Sequence, residues 1–180
     1  MIIFDRTAQV KIHNRRIDTT IYEGASDTIV VEGSLQDERL LESYHPSGAV
    51  RPPYIVHHII IRMALQLPEL VITDIEMELP TVPHEACHEI RACLAPVKGM
   101  RIAAGFTSRV RKLVGREKGC MHVQALLAAM APAVFQGAWS ARIRKPVDPQ
   151  TYAGMMGQLE NSCWAWREGG PLMALLTRKA

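Results

Sequence analysis

The segment GREKGCMHVQALLAAM, residues 115–130, contains the cysteine and the histidine whose spacing best suits chemistry. Cys120 follows a glycine, and the apolar run after it predicts a helix that begins there. Free backbone N–H groups and the positive end of the helix dipole can lower the pKa of a thiol in that position. The alternative is a packed side chain, because cysteine is among the most often buried residue types. His122 is the better candidate for acid–base catalysis, because imidazole titrates near neutral pH.

Two arginines before this helix are candidates for substrate binding. Arg109 and Arg116 belong to a run of basic residues that ends just before Cys120. A guanidinium fork fits a carboxylate, and its charge also attracts a phenolate. The alternative is an ordinary solvated helix face.

Near the C-terminus, Trp164 in NSCWAW is a candidate for covering an aromatic pocket, although a tryptophan there also serves to anchor the chain end.

HEACH, residues 84–88, matches the HExxH zinc motif letter for letter. On an α-helix His84 and His88 share a face and can bind zinc, with Glu85 as the general base. The third ligand that zinc requires has two candidates, Glu117 and His122. A proline just before the motif places its first histidine in the first turn, which favours a capped surface helix instead. A zinc hydrolase is therefore an alternative and not the leading hypothesis.

A polar face in the strand-rich part of the chain offers a second set of candidates. In LVITDIEMEL, a period of two places Asp74 and Glu76 on one face with a third acidic residue, Glu78. In YIVHHIIIRM the same rule places His58 and Arg62 together, opposite those acids if the polar faces match. One interpretation is a polar cleft for acid–base work; the other is a solvated face with cross-strand ion pairs.

The neighbouring histidine of this strand has a different expected role. Period two directs His57 away from the polar face and into the core. We expect a hydrogen-bonded structural histidine there.

These candidates must be positioned by an α+β fold. RRIDTTIYE and DTIVVEGSLQD alternate and are separated by Gly24–Ser26, which predicts a hairpin. A second hairpin has Pro68 in its turn. Helical patterns then dominate. We expect an antiparallel sheet of two hairpins covered by C-terminal helices, in one domain over 1–180, strand-rich in 1–80 and helix-rich in 81–180.

The bulk properties exclude several classes of protein. The chain has 180 residues, is 48% hydrophobic and carries a formal net charge of +3. That charge, with no recognisable nucleic-acid-binding motif, gives no support for a nucleic-acid partner. No run is apolar enough for a signal peptide or a membrane span, and the four cysteines form no CxxC pair, so we expect a cytoplasmic protein with reduced thiols. Without GxGxxG, P-loop or GxSxG, nucleotide cofactors and a serine triad are disfavoured.

Several phrases in order along the chain carry a family resemblance. They are RRIDTTIYE, VEGSLQDER, VHH with ITDIEMELPTVPHEAC, KGMRIAAGFTSRVRKLVG, and GCMHVQALL with FQ. The chain resembles the DUF2889 family, a domain named for its unknown function, over about residues 15–136. Where the family pattern is similar to GCTHLxELL, this chain has Met121 and Ala125, and where relatives often read His-Asp it has His57-His58. The resemblance implies a substrate class, lignin-type aromatic compounds, and chemistry of a lyase without cofactor.

The leading hypothesis is a cofactor-independent lyase that uses acid–base catalysis on a small aromatic metabolite. The proton-transfer candidates are His58, Asp74, Glu76 and His122, with Cys120 beside them, and Arg62 and Arg116 would hold an oxyanion. The alternatives are a zinc-dependent hydrolase built on HEACH and a non-enzymatic binding or assembly domain, for which a homodimer is the expected form.

Overall fold

The computed structural model describes residues 7, 9–157 and 159–177. Its strands are β1 (His13–Glu23), β2 (Thr28–Arg39), β3 (Ser43–Tyr44), β4 (Val50–Arg51), β5 (Tyr54–Gln66) and β6 (Val71–Thr81). Its α-helices are α1 (Phe106–Val114), α2 (Met121–Arg142), α3 (Pro149–Gly157) and α4 (Pro171–Thr177). Among the described residues, 3₁₀ helices also span Glu85–Val97, Arg116–Lys118 and Trp164–Trp166.

The four long strands form one antiparallel sheet in the order β1-β2-β5-β6. Each predicted hairpin is present. Ser26 and Asp27 both have positive φ in the first turn, and Pro68 lies in the second. The short strands β3 and β4 pair separately in the segment between β2 and β5. The predicted α+β class, with an N-terminal antiparallel sheet and C-terminal helices, is confirmed.

One face of the sheet is buried, because every second side chain of its central strands is apolar. Along β2 the fully buried positions include Ile29, Val31 and Leu35, and β5 matches them with Ile61 and other aliphatic residues. The intervening side chains are more exposed. This alternation is the pattern of a sheet that packs on one side only.

Helix α2 packs against this buried face, and two glycines allow its close approach. A Cβ at Gly33 would collide with the side chain of Met130. A Cβ at Gly137 would lie 2.7 Å from both γ-carbons of Ile21. Because neither glycine carries a side chain, the helix backbone lies close to β1 and β2. The start of α2 is thereby fixed over one end of the sheet.

Backbone contacts divide the chain into two compact units, one through Ala138 and one from Trp139. The first contains the sheet, α1 and most of α2. The second contains α3 and α4, and there Trp139 and Tyr152 meet edge to face with ring centroids 5.6 Å apart. That the whole chain is one domain stays a prediction. In the described residues, no helix combines the length and the apolarity that crossing a membrane requires.

Candidate functional site

A buried carboxylate lies at the end of the apolar face of β2. Asp37 continues the alternation of Val31 and Leu35, yet it is an acid and only 2% exposed. Arg15 lies directly across from it on β1 and donates two hydrogen bonds, Nε to Oδ1 at 2.7 Å and Nη2 to Oδ2 at 2.6 Å. The Arg15 guanidinium holds the pKa of Asp37 at about 2, so the carboxylate is ionised near neutral pH.

Two imidazoles face this carboxylate from different elements. His57 lies opposite Asp37 on β5, with Nδ1 3.3 Å from Oδ2. His122 comes from the first turn of α2, with Nε2 3.5 Å from the same oxygen. The two rings are stacked, with centroids 4.0 Å apart and planes inclined by 31°. The sheet and the helix therefore bring together three ionisable side chains that are distant in the sequence.

Burial lowers the pKa of both imidazoles. For His57 the loss of solvent is the largest cause, and the neighbouring His122 lowers its pKa further. For His122 burial again comes first, followed by the positive charge of Arg15. The carboxylate of Asp37 opposes these effects on both rings. The rings are therefore neutral near pH 7, the form in which imidazole accepts a proton or binds a metal ion.

Cys120 and His122 are in contact, although they are only two residues apart. The Cys120 carbonyl accepts the first helical hydrogen bond, from Gln124, so Cys120 is the N-cap of α2 and lies outside the regular helix. Its Sγ accepts the backbone N–H of His122 at 3.4 Å and lies 3.3 Å from Nδ1 of the same ring. Inside an ideal helix, side chains two residues apart point to different sides, but at this cap Cys120 and His122 face each other.

The three facing atoms also have the spacing of metal ligands. One donor atom from each of Asp37, His57 and His122 lies within 4.8 Å of the others. In the described residues His84 and His88 belong to no such cluster of three ligand side chains. A third imidazole, that of His13, lies beside the other carboxylate oxygen, with Nε2 3.3 Å from Oδ1.

The HEACH segment forms a 3₁₀ helix instead of the expected α-helix. His84 precedes that helix, and His88 lies in its first turns. With three residues per turn, side chains four apart point about 120° away from each other, so the shared face of an α-helix is lost. Zinc binding by His84 and His88 stays a prediction.

The other predicted polar side chains lie on the open face of the sheet. Arg62 binds three carboxylates there, those of Glu32, Glu76 and Glu78. Two other predicted catalytic residues, His58 and Asp74, also have partners on this face. His58 lies 3.3 Å from the Ser34 hydroxyl, and Asp74 pairs with Lys98. The polar row predicted from period two is present. It lies on the face opposite His122, so the structure does not bring these two groups of candidates together.

The predicted substrate-binding residues outside the sheet are exposed. Arg109 donates to the carbonyl of Arg101. Arg116 lies in the short 3₁₀ helix before Cys120 and has positive φ. Trp164, in the second unit, stacks under the guanidinium of Arg167 at 3.9 Å from its ring centroid. Their role in binding stays a prediction.

Sequence reasoning missed Asp37 and Arg15 and assigned His57 to structure alone. A signal for Asp37 was present in the sequence. The alternation of TIVVEGSLQDER directs Asp37 to the same face as Ile29 and Val31, and an acid at a core position needs a buried partner. The identity of that partner depends on strand register, which the alternation alone does not give.

An open groove lies next to the N-terminus of α2. Its volume is about 390 Å³. The lining residues come from the 3₁₀ helix before α1 and from the segment before Cys120: Ala86, Glu89, Ile90, Ala92, Cys93, Glu117, Lys118 and Gly119. Burial raises the pKa of the Cys93 thiol, and the nearby Cys120 raises it further. The groove therefore borders the residue that caps α2.

Comparison with known proteins places this site within a named family. The sequence model of a family described as "Protein of unknown function (DUF2889)" matches residues 13–136. The chain belongs to the DUF2889 family. The match begins at His13 and includes Asp37, His57 and His122, so the whole buried cluster lies inside the DUF2889 region. No curated protein and no solved structure matches the chain.

Proposed function

We propose that this DUF2889 protein is a lyase that acts on a small aromatic metabolite of the lignin-derived phenolic type, without an organic cofactor. The observation that supports an enzyme is the stacked pair His57 and His122 beside the buried carboxylate of Asp37. Burying ionisable groups costs free energy. Groups whose pKa values are shifted by burial and by charged neighbours cluster at functional sites. The substrate class rests on the family resemblance.

The carboxylate sets the tautomer of both rings. An ionised carboxylate only accepts hydrogen bonds, so a neutral imidazole beside it carries its proton on the nitrogen that faces it. The facing atoms are Nδ1 of His57 and Nε2 of His122. The opposite nitrogens, Nε2 of His57 and Nδ1 of His122, then carry the lone pairs that can accept a proton, and Nδ1 of His122 lies 3.3 Å from Sγ of Cys120. This is the arrangement of base and orienting carboxylate that hydrolytic triads share.

A lyase step needs one proton removed and one returned. In the proposed reaction an imidazole takes the proton of a substrate hydroxyl, and a carbonyl forms as the adjacent carbon–carbon or carbon–oxygen bond breaks. The leaving carbon or oxygen receives the electron pair and then the proton, so no oxidant or reductant is required. With the rings 4.0 Å apart and Arg15 close by, repulsion disfavours protonation of both rings at once.

The test is turnover of lignin-derived phenolics that carry a hydroxyl next to the bond to be cleaved. Product formation is followed by liquid chromatography with mass spectrometry, and kcat/KM is compared between variants. We expect His122→Gln and His57→Gln each to lower kcat/KM by about 100-fold or more, the usual effect of losing a general acid–base group.

The matched control is His58→Gln, because His58 neighbours His57 but lies on the open face beside Ser34. Unchanged turnover in this variant supports the buried cluster as the site. Loss of turnover in His58→Gln, with His57→Gln and His122→Gln active, would move catalysis to the open face with Asp74, Glu76 and Arg62. Circular dichroism of each variant shows whether it has folded.

A further inference from the structure

We propose that Asp37, His57 and His122 form a binding site for a divalent transition-metal ion of the zinc type. The ligand atoms are Oδ2 of Asp37, Nδ1 of His57 and Nε2 of His122. This inference goes beyond the proposed function, because it concerns ion binding and holds whether or not the protein is a lyase. It also differs from the zinc site that HEACH suggests.

The distances between the donor atoms suit a single ion. Zinc binds imidazole nitrogen and carboxylate oxygen at about 2.0–2.2 Å, which separates neighbouring ligands in a tetrahedral site by about 3.3 Å. Oδ2 of Asp37 lies 3.3 Å from Nδ1 of His57 and 3.5 Å from Nε2 of His122. The two nitrogens lie within 4.8 Å of each other, so a small rotation of the rings completes the geometry.

The His57 ring supplies an independent reason for an ion. Its Nδ1 atom is buried and, among the described residues, has no hydrogen-bond partner in aligned geometry, although Asp37 is 3.3 Å away. An unsatisfied buried nitrogen destabilises the fold. An ion between Nδ1 and Oδ2 satisfies both atoms at once.

Arg15 limits the affinity without blocking the site. An ionised carboxylate has about four lone-pair positions, and Arg15 uses one on each oxygen. A position on Oδ2 remains for the ion. The guanidinium charge opposes a divalent cation nearby, so we expect weaker binding than at a site made only of neutral and anionic groups.

Ion binding also gives Cys120 a defined role. When Nε2 of His122 binds the ion, its proton moves to Nδ1, which then donates to Sγ of Cys120 at 3.3 Å. Metal-bound histidines usually donate their second nitrogen in this way, and the partner fixes the orientation of the ring. Cys120 is thus a positioning residue for the ion and not one of its ligands.

Three protein ligands leave coordination positions open. Two histidines and one carboxylate are the ligand set of zinc hydrolases and of non-haem iron enzymes, in which water or substrate oxygen takes an open position. The chemical class of ligand that the ion would take here is therefore a hydroxyl or carboxylate oxygen. The phenolic hydroxy compounds of the proposed function belong to this class.

The experiment measures ion binding directly. The full chain is stripped with a chelator and titrated with Zn²⁺ by calorimetry and with Co²⁺ by visible absorption, which reports the geometry and the nitrogen ligands. We expect one ion per chain. His57→Gln and His122→Gln should each weaken binding by about 100-fold or more, and Cys120→Ala by about 10-fold.

His84→Gln and His88→Gln are the matched controls, because they remove the same side chain from HEACH and leave the cluster intact. We expect both to bind Co²⁺ with unchanged affinity and spectrum. No stoichiometric ion in the unsubstituted protein would overturn the inference. So would binding that is lost in His84→Gln or His88→Gln and kept in His57→Gln.

The activity of the same samples tests the proposed function separately. Because ion and proton compete for the same rings, Zn²⁺ should inhibit a lyase that uses the free imidazoles. Turnover with no bound ion in any titration would support the lyase and refute the metal site. Tight ion binding by a folded protein whose metal-free form also shows no turnover would support the metal site and refute the lyase.

Discussion

Replacing Arg15 tests whether one guanidinium holds the buried carboxylate in its ionised form. Arg15 is the largest cause of the lowered pKa of Asp37, which falls from its usual 3.8 to about 2. In Arg15→Gln the burial of Asp37 remains and raises its pKa, so we expect a value clearly above 2. The assay is a titration of the Asp37 carboxyl carbon by nuclear magnetic resonance, with labelled aspartate.

The same ion pair contributes to the stability of the fold. A pKa unit is worth about 1.4 kcal/mol, so the whole shift of Asp37 corresponds to about 2 kcal/mol. Part of the pKa shift comes from His122 and His13. Because the Arg15 side chain is 38% exposed, solvent screening also reduces the contribution of the ion pair to stability. We expect Arg15→Gln to lower the free energy of unfolding by about 1–2 kcal/mol near neutral pH.

The sign of the pH dependence follows from the lowered pKa of Asp37. A carboxyl with a lower pKa in the folded chain stabilises the fold above its unfolded pKa, and this contribution is lost as pH falls through about 2. The difference in stability between Arg15→Gln and the unsubstituted protein should therefore shrink in acid.

Arg16→Gln is the control for this prediction, because Arg16 is the next residue but pairs with Glu38 instead of Asp37. It should leave the pKa of Asp37 at about 2. An Asp37 pKa that stays near 2 in Arg15→Gln would refute the reasoning and assign the effect to the histidines.

Three further predictions follow from local packing and from the helix cap. Gly137→Ala should lower the free energy of unfolding by about 1–2 kcal/mol in urea titrations, because the added Cβ would meet the branched side chain of Ile21. Gly154→Ala is the control: a Cβ there has nothing within 4 Å, so this variant should raise the free energy of unfolding by up to about 1 kcal/mol. Cys120→Ala should cost about 1 kcal/mol through loss of the N-cap, whereas Cys120→Ser should keep the stability. If the thiol only positions His122, Cys120→Ser also keeps most of the turnover, and complete loss of turnover in that folded variant would indicate a nucleophilic cysteine instead.

The strands were predictable because their alternation is strong and their turns carry clear signals. Period two correctly divided the second hairpin into an acidic face and an apolar face, and it placed Arg62 against Glu76. The same period placed His57 on the core side. These features depend on residues close together in the sequence, which is why one sequence was enough to predict them.

The buried cluster could not be predicted because it depends on contacts that are far apart in the sequence. Asp37 and His57 meet through strand register, and His122 reaches them only because α2 lies across the sheet. The sequence also did not distinguish an α-helix from a 3₁₀ helix at HEACH, because so short a motif fits both. The sequence prediction therefore identified His122 and Cys120 but not the carboxylate that they surround.

The irregular pairing of β2 with β5 separates the site from the loop that joins these two strands. Asp37 pairs with His57, but the next residue, Glu38, pairs with Ile55, so Val56 is an extra residue in the ladder. A bulge of this kind absorbs a change in register instead of transmitting it along the strand. Insertions or deletions in residues 40–53 can therefore alter the loop at this end without turning His57 to the other face of the sheet. The bulge thus allows Asp37 and His57 to remain opposite each other when the length of that loop changes.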